Sequence, residues 1–169
     1  RRQIDLMRKA CLLCDSSELE VRTGCVVVLD GDVVGEGWNH YDKNAYIPFF
    51  YHGSPAEAGC TSSIKRVCNA FFSFISNTSK KVMSKKVVHA EVMAVENAKK
   101  REDELDGVVV YVSRFPCVDC ANKLVREGVR KVFYMSDHFT SGNEALPIFE
   151  SAGVEVVQIS EDVVWDRKE

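Results

Sequence analysis

Two short stretches carry residues whose types and spacing suit a transition metal. His89 and Glu91 are separated by one alanine, and Cys117 and Cys120 are three residues apart, directly after Pro116. Imidazole nitrogen and cysteine thiolate are ligands that Zn2+ prefers, and a catalytic zinc usually takes three protein ligands and keeps its fourth position for water. We therefore expect His89, Cys117 and Cys120 to bind one catalytic zinc ion.

Glu91 is interpreted as a proton carrier beside this metal and not as a ligand. A bound metal ion can lower the pKa of its water to about 7, and a nearby carboxylate can take up that proton and pass it to a leaving amine. A zinc that only stabilises a fold normally has four protein ligands and no use for such a carboxylate. A non-catalytic zinc module and inert buried thiols are therefore the less favoured alternatives.

Both stretches stand at predicted helix starts. Apolar residues at three- and four-residue spacing predict a helix over residues 88–100, with His89 and Glu91 near its N-terminus. Its apolar face is predicted to consist of Val88, Val92, Val95, Ala94 and Ala98. Pro116 suits the start of a second helix, from Cys117 to Glu127, and Gly128 is a typical stop. The positive end of a helix dipole favours thiolates.

Strand and turn signals surround these helices. We predict a first helix over residues 2–15, then a hairpin of strands 25–29 and 33–38 with its turn at Asp30-Gly31. The continuous apolar run 108–112 predicts a central strand buried on both faces. Strand 129–135, helix 143–152 and strand 154–159 complete the predicted order. A helix between consecutive strands makes those strands parallel.

The pairing of His-x-Glu with Pro-Cys-x-x-Cys resembles the signature of zinc-dependent deaminases. From about Gly24 to Ile159 the chain resembles the cytidine and deoxycytidylate deaminase superfamily, and most closely its deoxycytidylate branch. The resemblance implies an α/β fold, a three-layer α/β/α sandwich around a five-stranded mixed sheet whose last two strands are parallel. It also implies hydrolytic deamination of a base, in which Glu91 protonates the ring nitrogen and then the departing amine.

The same resemblance implies a set of substrate contacts. Asn39 matches the position that contacts the substrate sugar, although an asparagine in a turn is also common. Backbone carbonyls near Phe115 match those that receive the substrate amine. Arg114 is either a phosphate contact or an exposed arginine, and His138 is either a pocket residue or a surface-loop histidine. The full candidate set is Asn39, Ala90, Arg114, Phe115 and His138.

A long insertion at about residues 40–88 interrupts what we predict to be a single deaminase domain over residues 1–169. It is rich in aromatic residues, which favours packed loops and one helix near residues 62–75 over a disordered linker. Gly53-Ser54-Pro55-Ala56 resembles the deoxycytidylate branch, in which some members carry a second, structural zinc. That branch usually has Asn-Gly-x-Pro directly after the strand, whereas Asn39 is followed here by His40. The candidate ligands for a second zinc are His52, Cys60 and Cys68.

Cys11, Cys14 and Cys25 are interpreted as packing residues. The chain has seven cysteines, of which two are assigned to the catalytic zinc. Cys11-Leu12-Leu13-Cys14 has the CxxC spacing, but its position on an apolar helix stripe favours burial over metal binding. Cys25 lies in a predicted strand and is assigned to the core.

Composition restricts the partners. A hydrophobic content of 46% in 169 residues is enough for one core, and the net charge of −3 disfavours broad nucleic-acid binding. We expect a small nucleotide substrate, with dCMP converted to dUMP. The alternative is an adenosine or cytosine deaminase acting on tRNA or single-stranded nucleic acid. The absence of a membrane-length apolar run or a secretory signal pattern predicts a cytoplasmic protein without a membrane partner, and the resemblance implies a homo-oligomer.

Overall fold

The chain divides into two compact units, residues 1–41 with 88–169, and residues 42–87. The computed structural model describes residues 1–42, 87–137 and 142–166, and the account below concerns the first unit. The helix predicted near residues 62–75 and the proposed second zinc ligands His52, Cys60 and Cys68 lie outside the described residues, as does His138. A single domain carrying an insertion stays a prediction.

The described elements alternate between helices and strands. The first part of the chain forms α1 (Arg2–Leu13), a 3-10 turn (Cys14–Ser16), β1 (Gly24–Leu29), β2 (Asp32–Trp38) and β3 (His40–Tyr41). The second part forms β4 (Val87–Val88), α2 (Ala90–Lys99), β5 (Val109–Arg114), α3 (Val118–Arg126), β6 (Lys131–Ser136), α4 (Gly142–Ser151), β7 (Glu155–Gln158) and α5 (Glu161–Trp165). Among these helices none combines the length and hydrophobicity that a membrane crossing needs.

Five strands form one mixed sheet in the order β2-β1-β5-β6-β7. β1 runs antiparallel to both β2 and β5, whereas β5, β6 and β7 run parallel to one another. Helices α3 and α4 are the crossovers that a parallel arrangement requires. The predicted five-stranded mixed sheet with its last two strands parallel is confirmed. In the β1–β2 turn, Asp30 and Gly31 both have positive φ, which is typical of tight hairpins.

Both faces of the sheet are covered, which confirms the predicted three-layer α/β/α sandwich. Alternate residues of each strand point to opposite faces. One face packs with α2, α3 and α4 around Val27, Val110 and Val132. The other face packs with α1 and α5, and there the rings of Tyr111 and Phe133 stack with centroids 4.8 Å apart. Strand β5 is therefore central and buried on both sides, as predicted.

Two details differ from the sequence-based prediction. Val88 lies in a strand, and α2 begins only at Ala90. The helix is buried mainly through a stripe of small residues, Ala90, Ala94 and Ala98, with Val95 beside them. The predicted face is confirmed for Val95, Ala94 and Ala98, whereas Val88 lies outside the helix and Val92 is only partly buried. Ala90 completes the buried stripe, opposite glycines of β2 that leave room only for small helix residues. Helix α5 was not predicted, since five residues with mostly exposed side chains give too little periodicity to recognise.

Phe149 should be a major source of stability for the α4 layer. Its side chain is fully buried and its ring lies edge-on to Phe115, with centroids 6.2 Å apart. Phe149→Ala should lower the free energy of unfolding by about 3–5 kcal/mol, because the truncation leaves a cavity. Leu146→Ala on the same helix is the matched control, since Leu146 is 37% exposed. Equal losses for both variants in denaturant titrations would contradict this packing.

Candidate metal centre

The three predicted metal ligands converge at the starts of two helices. His89 is the N-cap residue of α2, Cys117 is the N-cap residue of α3, and Cys120 lies in the first turn of α3. The Nδ1 atom of His89 lies 3.5 Å from the Cys117 sulfur and 3.3 Å from the Cys120 sulfur. All three ligand atoms lie within 4.8 Å of one another. This spacing allows one ion to contact all three.

Local sequence explains the position of the two cysteines. Pro116 is fully buried and precedes the N-cap Cys117, so it lies outside the helix and not in its first turn. A proline holds the residue before it in an extended conformation, and the backbone N–H of Phe115 donates to Ser136 O at 2.9 Å. The chain therefore leaves β5 fully extended and turns into α3 at Cys117.

Glu91 is buried beside the ligand atoms. It lies in the first turn of α2 with 5% of its surface exposed. Burial raises the pKa of its carboxyl group, while a hydrogen bond from the Cys120 thiol acts in the opposite direction. A buried carboxylate normally requires a charged or hydrogen-bonding partner. The structure thus brings all four residues of the predicted site together.

The two thiols form a coupled pair that shares one proton. A hydrogen bond from Cys120 lowers the pKa of Cys117 to about 4, and the same interaction raises the pKa of Cys120 well above its ordinary value. The hydrogen bond between His89 and Cys117 raises the pKa of His89. One thiolate is therefore present at neutral pH, and a bound cation would displace the second proton. Nitrogen with two sulfurs is a donor set that fits Zn2+.

Comparison with known proteins decides the family. The family model described as "Cytidine and deoxycytidylate deaminase zinc-binding region" matches residues 1–136. The chain belongs to this deaminase family. The matched region includes His89, Glu91, Cys117 and Cys120, and the resemblance inferred from the sequence is confirmed.

Individual relatives agree with the deoxycytidylate branch. The deoxycytidylate deaminase of Mycobacterium phage D29 is 34% identical over 114 residues, covering 67% of this chain and 77% of the phage protein. The ComE operon protein 2 of Bacillus subtilis is 34% identical over 84 residues, and the deoxycytidylate deaminase of Homo sapiens is 37% identical over 71 residues. The matched region covers 44% and 39% of the length of these two proteins.

Solved structures share the fold. The dCMP deaminase of cyanophage S-TIM5 in its apo form superimposes with a TM-score of 0.63, over 93% of this chain and 96% of the phage chain, at 21% identity. The same enzyme in complex with dCMP and dUMP gives a TM-score of 0.62, over 90% of this chain and 93% of the phage chain, at 23% identity. At this level of identity the likeness establishes the deaminase fold.

Asn39, the proposed sugar contact, forms hydrogen bonds that hold the segment before β1 in this structure. The residue is buried, and its side-chain oxygen accepts from Thr23 N at 2.8 Å while its amide nitrogen donates to Val21 O at 2.6 Å. Its backbone oxygen accepts from Ser17 Oγ at 2.7 Å. An amide oxygen has a second lone pair and an amide nitrogen a second hydrogen, so a sugar contact stays a prediction beside this structural role.

The other described candidates surround the ligand-bearing helix starts. Ala90 is the first residue of α2 and is fully buried. Arg114 is the last residue of β5, is half-buried, and pairs in register with Ser136. The Phe115 ring lies edge-on to Tyr134, with centroids 4.7 Å apart, so its side chain contributes to packing. Their substrate contacts stay predictions.

Ser113 is a structural residue that the sequence pattern did not reveal. It is 3% exposed, and its hydroxyl accepts from Gly24 N at 3.1 Å and from the Cys14 thiol at 3.3 Å. Its backbone oxygen accepts from Ser136 Oγ at 3.1 Å. A serine directly after the continuous apolar run 108–112 was the available signal, because buried hydroxyls need partners.

The coupled thiol pair predicts selective alkylation. At pH 6, which is above the Cys117 pKa of about 4, Cys117 is mostly thiolate. Burial raises the pKa of Cys11 to about 12, so Cys11 stays protonated although it is also half-buried. Metal-free protein treated with iodoacetamide should therefore be modified much faster at Cys117 than at Cys11, as measured by peptide mass spectrometry, because the thiolate is the nucleophile.

Zinc should suppress this reaction at Cys117 by occupying the sulfur. Cys120→Ser removes one ligand and should abolish the protection at low micromolar zinc, whereas Cys14→Ser should keep it. Equal alkylation rates at Cys117 and Cys11, or rates at Cys117 that zinc does not change, would contradict the site.

Proposed function

We propose that this chain is a zinc-dependent deaminase that converts dCMP and water to dUMP and ammonia. The observation that carries the proposal is the convergence of His89, Cys117 and Cys120 beside the buried Glu91. Deoxycytidylate deaminases among the sequence relatives, and a dCMP deaminase with the same fold, support dCMP as the substrate.

In this proposal His89, Cys117 and Cys120 hold one zinc ion. When bound, zinc activates water at neutral pH. Glu91 moves the protons: its carboxylate accepts one from water and delivers it to the ring nitrogen, then accepts the remaining proton of the added oxygen and delivers it to the departing amine. The carbon–nitrogen bond to the amine breaks and a carbon–oxygen bond forms. Because burial raises the pKa of Glu91, its carboxylate is a stronger base than that of an ordinary glutamate and takes up a proton from water more readily.

The substrate contacts belong to the same proposal. The backbone N–H of Ala90 is among the first of α2, which have no acceptor inside the helix, and it is available to the base. Asn39 contacts the sugar, Arg114 the phosphate, the backbone at Phe115 the amine, and His138 the pocket wall. A second zinc at His52, Cys60 and Cys68, a homo-oligomeric state and a cytoplasmic location also stay predictions.

A substrate panel tests the proposed reaction. Purified zinc-loaded protein should deaminate dCMP, with loss of cytosine absorbance and release of ammonia, and should leave deoxycytidine and dCTP nearly unchanged. A cytosine-containing single-stranded oligonucleotide and tRNA belong in the same panel, the latter read by mass spectrometry of its nucleosides. If only a polynucleotide reacts, the dCMP assignment is wrong and the alternative deaminase function replaces it. The net charge of −3 favours the mononucleotide.

Glu91→Gln should separate zinc binding from proton transfer. The amide has nearly the same shape but cannot carry the proton, so kcat for dCMP should fall by about 10²–10⁴-fold while zinc content stays near that of the parent. Glu96→Gln on the same helix is the matched control, because Glu96 lies on the exposed side and pairs with Lys123 at 2.7 Å. Parental kcat in Glu91→Gln would remove the proton carrier from the mechanism.

A further inference from the structure

We propose that Gly35 and Gly37 of β2 are positioning residues for the metal centre. The two glycines allow α2 to pack unusually close to the sheet. They thereby determine the position of its N-terminus, and so of His89 and Glu91, relative to the two cysteines. The inference rests on the proposed function only in taking His89 to be a metal ligand. Neither glycine is itself one of the proposed metal ligands.

Gly37 faces the first turn of α2, next to the metal ligand. A Cβ atom at Gly37 would overlap the carbonyl oxygen of Ala90 and lie 2.5 Å from the backbone nitrogen of Ala94 and 2.9 Å from the Cβ of Met93. Two of these neighbours are helix backbone, which cannot rotate away as a side chain can. A methyl group at Gly37 must therefore displace the start of α2.

Gly35 allows the same close approach one helical turn further along α2. A Cβ atom there would overlap the carbonyl oxygen of Ala94 and lie 2.9 Å from both Cβ and N of Ala98. Residues two apart on a strand share one face, and residues four apart on a helix share one side. The two glycines therefore face the fully buried stripe of Ala90, Ala94 and Ala98, and small residues on both sides permit the close approach.

Two hydrogen bonds hold α2 along this strand. The side-chain nitrogen of Asn97 donates to Glu36 O at 2.9 Å, and the backbone N–H of Trp38 donates to the Met93 sulfur at 3.5 Å. These bonds oppose movement of α2 along β2, while the glycines set the distance between the helix and the strand. One residue of slippage would move the helix start by about 1.5 Å, whereas metal–ligand distances tolerate about 0.2 Å. A small displacement of α2 is therefore large for His89.

Gly24 offers a matched comparison on the other face of the sheet. A Cβ atom there would overlap the carbonyl oxygen of Ala10 and lie 2.9 Å from the Cβ of Leu13. The obstruction is of the same kind, but it displaces α1, which carries none of the proposed metal ligands. Glycine-to-alanine variants at 24, 35 and 37 therefore separate loss of stability from loss of metal geometry.

The test uses the full chain loaded with cobalt(II), whose visible spectrum reports ligand geometry, and zinc affinity from competition with a chelator. All three variants should be less stable than the parent in denaturant titrations. Gly37→Ala should shift the cobalt spectrum and weaken zinc binding by about tenfold or more, a size typical of supporting residues. Gly35→Ala should show a smaller change, and Gly24→Ala should match the parent. Parental spectra and affinities in both Gly35→Ala and Gly37→Ala, or equal weakening in Gly24→Ala, would overturn the proposal.

A second pair of variants, which disturb the structure less, tests the proposal if Gly37→Ala does not fold. Asn97→Ala removes an anchor of α2 to β2 and should weaken zinc binding several-fold. Gln158→Ala removes a comparable bond between β7 and β6, from its side chain to Met135 O at 3.1 Å, and should leave zinc binding unchanged. Equal zinc affinities in the two variants would refute the anchoring. A chain that binds metal normally but deaminates no nucleotide refutes the proposed function alone, because every readout here is metal binding.

Discussion

The proposed chemistry depends on two helix starts meeting at one point. The ligand atoms of His89, Cys117 and Cys120 lie within 4.8 Å of one another although they come from segments on either side of strand β5. Helix α3 reaches this point because it begins directly after β5. Helix α2 reaches the same point because it packs against β2 with its N-terminus directed towards the start of α3. The chemistry therefore depends on how closely each helix approaches the strands.

The metal centre is an exception within an apolar layer. Val27, Val110 and Val132 belong to the apolar cluster on this face of the sheet, yet a buried carboxylate, an imidazole and two thiols lie at the starts of two helices that cover it. The hydrogen bond from Cys120 lowers the pKa of Cys117, and burial raises the pKa of Glu91. Such a concentration of polar groups weakens a core and is typical of a place where function takes precedence over packing.

Much of this architecture could be predicted from the sequence. The hairpin turn at Asp30-Gly31, the central strand and the order of the last elements are local signals of turn type and periodicity, and the candidate metal ligands were selected by residue type and spacing. Three features depend on tertiary contacts and could not be predicted this way. The alanine face of α2 follows from glycines on a facing strand, the Ser113 hydrogen bonds join distant segments, and the amide of Asn39 is used by a neighbouring loop.

The connection between Tyr41 and Val87 enters the chain between the strand that carries the two packing glycines and the helix that carries His89. The strand and the helix are nevertheless held together directly, by the close approach of Gly35 and Gly37 to the helix backbone and by the hydrogen bond from Asn97 to Glu36 O. Two segments that are far apart in the sequence therefore act as one unit around His89, so that a substitution in the first can alter a side chain carried by the second.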